Sequence, residues 1–286
     1  MNIKNIAGHF LDSGAYNQGQ KAKAYYKEHG KDRWAYFHTD EFWQYMKDYV
    51  AFVKKNKIAL DLYANVDAIG NAELTWRNQQ WLEKRGLTPV PVIHAGTDPD
   101  LKWLKHYLSL KYTLIGFGGM AVTGIRKEET KRWLNNCFEY LCNNKEHLPI
   151  VKIHGFGLTD FKLWVRYPFY SVDSTTWVKR GAFGEILVPR FKHGKFQLLN
   201  PPYILGTSTR HKARTHLRGM HLDVLRGKEK ENVYQWLEEL DVNPAELSTS
   251  HFARTQANVR YFCRVQNAMP KWPWPFHRKI QKGLLP

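Results

Sequence analysis

Between residues 5 and 190, short apolar segments alternate with amphipathic ones, the rhythm of βα units around a parallel sheet. The apolar segments predict strands over residues 6–11, 58–63, 89–93, 114–117, 150–153, 169–172 and 185–188. Thr39, followed by Asp40 and Glu41, has the form of a helix start, and Phe42, Tyr45, Tyr49 and Val53 recur behind it at helical spacing. Asp98-Pro99 opens a second helix carrying Leu101, Leu104 and Leu108, because proline suits the first turn. A third runs from about Lys127, with Leu134, Phe138 and Leu141 as its buried stripe. This pattern predicts an α/β fold, a (β/α)8 TIM-like barrel with one strand unassigned; a doubly wound sheet is the alternative.

After Pro189 the βα rhythm stops. A basic, mainly helical C-terminal extension is expected there, with helices over 209–226 and 229–240 and a further segment capped by Asn243-Pro244. The chain thus divides into a barrel over 1–189 and an extension over 190–286 packed on it. QWLEELDVNPAELSTSHFARTQANVRYF fits two helices about a turn at Asn243-Pro244, either a helix-turn-helix or a satellite pair packed on the barrel. The final PKWPWPFHRKIQKG reads as a packing strap, with a nucleic-acid backbone contact as the alternative.

Charge adds a partner to this picture. From Lys179 onward there are 19 Lys and Arg against 8 Asp and Glu, so +11 of the net +17 sits in the last 108 residues. Such asymmetry is the footprint of a polyanion binder, since neutralised phosphates release counterions. Lys179, Arg180, Arg210, Lys212, Arg214 and Arg218 are the candidate phosphate contacts. No apolar run approaches the roughly 20 residues that span a bilayer, so no membrane partner is expected. MNIKNIAGHFLDSG lacks the features of a signal peptide, which predicts a cytoplasmic location. Cys137, Cys142 and Cys263 form no C-x-x-C pair, so buried free thiols are expected rather than disulfides or a thiolate zinc site. The five-residue intervals between His211, His216 and His221 turn their side chains off one helical face; no metal is expected.

Barrel chemistry sits at the carboxyl ends of strands. The predicted strands end on or beside Asp12, Asp67, His94, Gly118-Gly119, His154 and Asp173. In HFLDSGAYN, Asp12 follows an apolar strand and precedes a turn-permitting glycine and Tyr16; D-S-G by itself also fits a helix cap. VKIHGFGLTDFKLWVRYPFYSVDSTTW repeats the logic, with His154 and Gly155 after one strand and Asp173 after the next. Two carboxylates facing one pocket are what glycosyl chemistry needs, one attacking the anomeric carbon and the other handling protons. Spacing does not show that the two face each other. LIGFGGMAVTG ends a strand on small residues whose backbone can approach a flat ligand, but its spacing is neither a dinucleotide fingerprint nor a Walker loop, so no cofactor is implied.

Over about residues 8–185 these segments, in this order, resemble the tRNA-guanine transglycosylase superfamily. DSGAY is similar to the family's D-S-G-G-[FY] element, FGGMAV to its G-G-L-A-V loop, and HGFGLTDFKL followed by YSVDS to its M-G-V-G-x-x-x-D-L followed by F-D-C. The resemblance implies that Asp173 is the nucleophile, Asp12 the acid/base and Tyr16 the stacking aromatic. It implies further that Asp67 holds the guanine amino edge and that the Gly118, Gly119 and Met120 backbone reads the base. His94 falls where the family has glutamine; His154 and Gly155 complete the implied base pocket. The family's C-x-C-x-x-C…H zinc site has no counterpart, and Thr176-Trp177-Val178 stands in place of P-T-R after the nucleophile. A short, basic, zinc-free chain of this kind is similar to the phage DNA-guanine transglycosylases. That implies exchange of guanine for a free 7-deazaguanine such as 7-cyano-7-deazaguanine in DNA, in the host bacterial cytoplasm. A tRNA substrate, an N-glycosidase releasing the base to water, and a non-catalytic DNA-binding barrel are the alternatives.

Overall fold

The predicted strands of the first half form, and most are shorter than their apolar runs. In this computed structural model, which describes residues 8–30, 32–120, 127–158, 160–209 and 220–278, β1 is Phe10–Leu11, β2 Leu62–Tyr63, β3 Val92–His94, β4 Leu114–Gly118, β5 Lys152–Gly155 and β6 Ser171–Val172. Ile58 shows why the runs shrink: it lies in a turn, fully exposed, and ladder pairing begins where a neighbour is present, at Phe10 opposite Leu62.

All of these strands are parallel to their neighbours and follow one another in chain order. β1 pairs with β2, and β3 to β6 form one four-stranded sheet. A parallel bridge between Ala64 and Val90 carries the pairing from β2 towards β3, through Val90 N–H to the Tyr63 carbonyl (2.8 Å) and Asn65 N–H to the Val90 carbonyl (3.0 Å). The Phe10 ring lies 4.7 Å from that of His154 and 5.6 Å from that of Phe156, so the first strand's side chains reach the fifth strand.

Helices fill the connections: α1 (Ala15–His29) and α2 (Asp40–Lys55) before β2, α3 (Ala72–Glu83) before β3, α4 (Lys102–Ser109) before β4, α5 (Lys127–Leu141) before β5 and α6 (Phe161–Arg166) before β6. Thr39 caps α2 by accepting the Phe42 N–H, with Asp40 and Glu41 in the first turn against the helix dipole. α2 buries Phe42, Met46, Tyr49 and Val53 against Tyr36, Phe37, Val66 and Leu82; each such side chain is worth about 1.5–3 kcal/mol on burial. The second predicted helix starts later than expected, because Leu101 is left-handed (φ 58°) and α4 begins at Lys102. Asp98 still caps it, its two oxygens accepting from Trp103 (2.9 Å) and Leu104 (3.0 Å).

The chain forms two compact units. One comprises the described parts of Met1–Gly157, Pro168–Val172 and Pro275–Pro286; the other comprises those of Leu158–Tyr167 and Asp173–Trp274. In the first, the tail does strap: Phe276 packs on Phe138, its N–H reaches the His147 carbonyl, and Arg278 pairs with Glu139 at 2.6 Å.

The second unit departs from the expected pattern. It contains α6 together with α7 (Thr176–Ala182), β7 (Glu185–Val188), β8 (Arg190–Lys192), β9 (Lys195–Gln197), β10 (Tyr203–Gly206), α8 (Gly227–Glu239), α9 (Pro244–Leu247) and α10 (His251–Ala268). β7, expected to continue the parallel series, pairs antiparallel with β10. The region after Pro189, expected to be mainly helical, opens with strands: β8 and β9 form a hairpin about His193 and Gly194, both at positive φ (50° and 75°) as a type I′ turn requires. Of the helix expected over 209–226, residues 210–219 lie outside the described residues and Leu222–Val224 is a single 3-10 turn. α8 and the Asn243-capped α9 form as expected. Buried Asn258 ties α10 to β7, accepting from Leu187 N–H (2.8 Å) and donating to the Glu185 carbonyl. Cys137 and Cys142 are buried, and burial pushes the Cys142 thiol up to about 12. Cys263 is exposed, against expectation, because it falls on the solvent side of α10, whose buried side includes Tyr261 and Val265. Among the described residues no helix is long and apolar enough to cross a membrane.

Candidate functional site

The parallel order places the singled-out residues at equivalent points. Asp12 follows β1, Asp67 follows the Ala64 bridge, His94 is the last residue of β3, Gly118 the last of β4, and Gly155 the last of β5. Asp173 is next in the chain after β6 and belongs to the second unit, where it is exposed.

Two of these residues touch. His94 Nε2 lies 2.5 Å from Asp67 Oδ2, with His94 1% and Asp67 7% exposed. The imidazole is boxed in by glycine: a Cβ on Gly118 would lie 3.1 Å from His94 Cδ2, and one on Gly119, which has φ +73°, 3.2 Å from His94 Cβ. The Gly118-Gly119 pair therefore makes room for His94, a packing role beside any contact with a ligand. Ala95 N–H bonds the Gly118 carbonyl (3.1 Å), and Thr97 bonds the His94 carbonyl through both its N–H and its hydroxyl. Met120 is partly buried, and residues 121–126 lie outside the described residues.

Asp67 is held by residues that the hydrophobic pattern does not reveal. Thr75, Asn78 and Gln79 form a buried polar face on α3. Asn78 donates to the Val66 carbonyl (2.7 Å), the Thr75 hydroxyl accepts from Ala68 N–H (3.1 Å), and Asn65 donates to the Thr75 carbonyl (2.9 Å). These bonds hold the loop on both sides of Asp67. The available signal was Asn71, the α3 cap, followed by small and amide residues at helical spacing.

The D-S-G element is similarly braced. Gly14 is the left-handed N-cap of α1 (φ 66°), and Asp12 Oδ1 accepts its N–H at 3.3 Å; this bond closes a turn just before the helix, and α1 has no side-chain cap, so Asp12 is not the helix cap that D-S-G also fits. The Tyr45 hydroxyl donates to the Ser13 carbonyl at 2.5 Å. Burial, and after it the charge of Asp12, holds the Tyr45 hydroxyl above its ordinary value. Tyr49, bonded to the Ala64 carbonyl at 2.6 Å, is raised by burial first and then by Tyr45, Asp12, Tyr63 and Asp67. Asp12 itself is exposed, as is Tyr16 in the first turn of α1 (64%).

His154 is buried between the Phe10 and Phe156 rings, and its Nδ1 lies 2.8 Å from Ser171 Oγ. Phe156 covers Gly116, where a Cβ would meet its ring at 2.3 Å. In the second unit, Lys179 is exposed on α7, whereas Arg180 pairs at 2.6 Å with buried Glu185. Arg210, Lys212, Arg214 and Arg218 lie outside the described residues, as do His211 and His216. His221 is buried, accepting Asp223 N–H at Nδ1. Among the described residues no three His, Cys, Asp or Glu side chains are gathered as for a metal ion.

The first unit thus offers an exposed carboxylate on a braced turn and, in the loop after the neighbouring strand, a nearly buried carboxylate with one oxygen bonded to an imidazole. The second arrangement leaves a carboxylate oxygen that can accept a further hydrogen bond. No protein-family model, curated protein or solved structure matches the chain.

Proposed function

We propose that the chain is a base-exchange enzyme that replaces guanine in DNA by a free 7-deazaguanine, through a covalent glycosyl-aspartate intermediate. The observation that carries this reading is the run of parallel strands in chain order, each followed or ended by one of the residues implied by the transglycosylase resemblance: Asp12, Asp67, His94, Gly118, Gly155 and Asp173. In fold terms the reading is a (β/α)8-type barrel of which β1 to β6 are staves. The parallel chain order within each of the two sheets, the Ala64–Val90 bridge between them and the reach of Phe10 to His154 support it.

In this mechanism the Asp173 carboxylate attacks C1′ of the target nucleotide as the bond to guanine N9 breaks, passing through an oxocarbenium-like state to a glycosyl ester. Asp12 gives its proton to the departing guanine. It then takes the N9 proton of the incoming base, whose nitrogen attacks C1′ and releases Asp173, so the configuration is retained. Asp67 accepts from the base's amino group, Tyr16 stacks on its face, and the Gly118 to Met120 backbone lies along its O6 edge. Because C1′ is inaccessible in a stacked duplex, the nucleotide is flipped or the strand is opened, at a cost of a few kcal/mol that the basic carboxyl-terminal region offsets by binding phosphates.

Incubating the chain with labelled 7-cyano-7-deazaguanine and either DNA or tRNA tests the reading. Label entering DNA is the expected result. Label entering tRNA alone keeps the chemistry and changes the substrate; guanine release without incorporation makes the protein an N-glycosidase; and no reaction with either polymer removes the reading.

A further inference from the structure

The contact between His94, the last residue of β3, and Asp67, in the loop after β2, joins two neighbouring segments and is not explained by packing alone. His94 is fixed from several sides: Gly118 and Gly119 leave it room and no more, and Thr97 holds its carbonyl. Its Nε2 is 2.5 Å from Asp67 Oδ2, while its Nδ1 is buried without a partner. An unpartnered buried lone pair costs less than an unpartnered buried N–H beside a carboxylate whose charge needs a donor, which favours the tautomer with the proton on Nε2, donating to Asp67. That bond stops the carboxylate from rotating. It also occupies Oδ2, so Oδ1 is left to accept from a ligand, on a side chain that keeps about a tenth of its surface open.

We infer that His94 is a positioning residue that fixes Asp67 as a one-oxygen acceptor and so makes the site selective for bases bearing an exocyclic 2-amino group. The inference rests on the base-exchange reading, and it names which feature of the base is selected and by which pair. A carboxylate free to rotate could turn either oxygen to a ring N–H, which hypoxanthine also carries; a fixed one offers a single acceptor at one place, and a base without a donor there leaves it unpaired.

The test is calorimetric binding of free guanine and hypoxanthine, which differ by the 2-amino group, to the full chain and to His94→Gln and His94→Leu. The expected wild-type preference for guanine is about tenfold or more, the size of one buried hydrogen bond to a charged group. His94→Gln, which keeps a donor, should retain most of it. His94→Leu, which keeps bulk without a donor, should bring the two bases to within about threefold. A structural role alone would weaken both bases equally or unfold the variant. If His94→Leu does not fold, the imidazole Nε2 proton resonance of the wild-type chain decides: it should shift on addition of guanine and not of hypoxanthine. Unchanged discrimination in a folded His94→Leu, or a resonance indifferent to guanine, overturns the role of His94. A wild-type chain that binds neither guanine nor 7-cyano-7-deazaguanine overturns the base-exchange reading beneath it.

Discussion

The Tyr45 hydroxyl occupies the space that a side chain on Gly14 would need: a Cβ there would lie 2.7 Å from it. Gly14 is also left-handed, at φ 66°. The two residues therefore both hold the turn after Asp12, Gly14 by its backbone and Tyr45 through its bond to the Ser13 carbonyl. Gly14→Ala should lose about 1–3 kcal/mol of unfolding free energy, from left-handed strain plus the clash. Adding Tyr45→Phe removes the obstructing oxygen, so the double variant should lose less than the two single losses combined. Denaturant midpoints of the four proteins check this, and additive losses would show that the two residues do not meet.

The buried polar face of α3 makes a second case. Asn78→Ala removes the donor to the Val66 carbonyl and leaves that acceptor buried, at an expected cost of about 1–3 kcal/mol. Because Val66 adjoins Asp67, the same variant should weaken free-base binding. Thermal unfolding and calorimetry on one preparation measure both; lost stability with unchanged base affinity would separate α3 from the site.

Stability should fall at alkaline pH. The hydroxyls of Tyr36, Tyr45, Tyr49, Tyr107, Tyr112 and Tyr261 are all raised above their ordinary value of 10.0, burial being the first cause in each. The unfolded chain loses these protons from about pH 10 upward while the folded chain keeps them. Their contribution is complete below pH 10 and is lost as the pH rises towards the folded values, by up to about 1.4 kcal/mol per pH unit for each group. Urea unfolding at a series of pH values should be unaffected by these tyrosines from pH 7 to 9 and show a steep decline above 10. A stability that stays level to pH 11 would mean that these hydroxyls are hydrated.

Adjacent cations on α7 should behave differently. Arg180 is engaged by Glu185, so Arg180→Ala strands a buried carboxylate and should cost about 1–3 kcal/mol of stability. Lys179→Ala should leave stability unchanged and, if Lys179 meets a phosphate, lower the log–log salt slope of duplex DNA binding by about 0.9. Neutralising Arg210, Lys212, Arg214 and Arg218 together should flatten that slope by several times this amount. A slope unmoved by all five substitutions would place the DNA surface elsewhere, and equal stability losses at 179 and 180 would contradict the pairing.

Where apolar residues recur with a regular period, the sequence located the elements: α2 and α5 lie where Phe42, Val53, Leu134 and Phe138 predict them, and β1 to β6 lie in or beside their apolar runs. Strand ends then followed, which is why Asp12, His94 and Gly118 could be named. Three features had no such signal. The inner face of α3 is polar, with Thr75, Asn78 and Gln79 bonded to carbonyls or amides of a loop, and a search for apolar period passes over it. The direction of β7 depends on β10, about fifteen residues later, and an apolar run is the same whether its partner is parallel or antiparallel. The bond between Asp67 and His94 crosses 27 positions and is fixed by strand pairing, which no local pattern encodes.

In the proposed mechanism Asp173 becomes covalently attached to the sugar whose base it displaces. Intact-mass measurement after mixing the chain with a short guanine-containing DNA, with no free base added, tests it most directly. An adduct of DNA minus guanine is expected, mapped by digestion to the peptide bearing Asp173. The adduct should disappear on adding 7-cyano-7-deazaguanine, which is found in the DNA afterwards, and should be absent in Asp173→Asn, since an amide forms no glycosyl ester. Incorporation of the labelled base by Asp173→Asn at the wild-type rate would rule out Asp173 as the nucleophile.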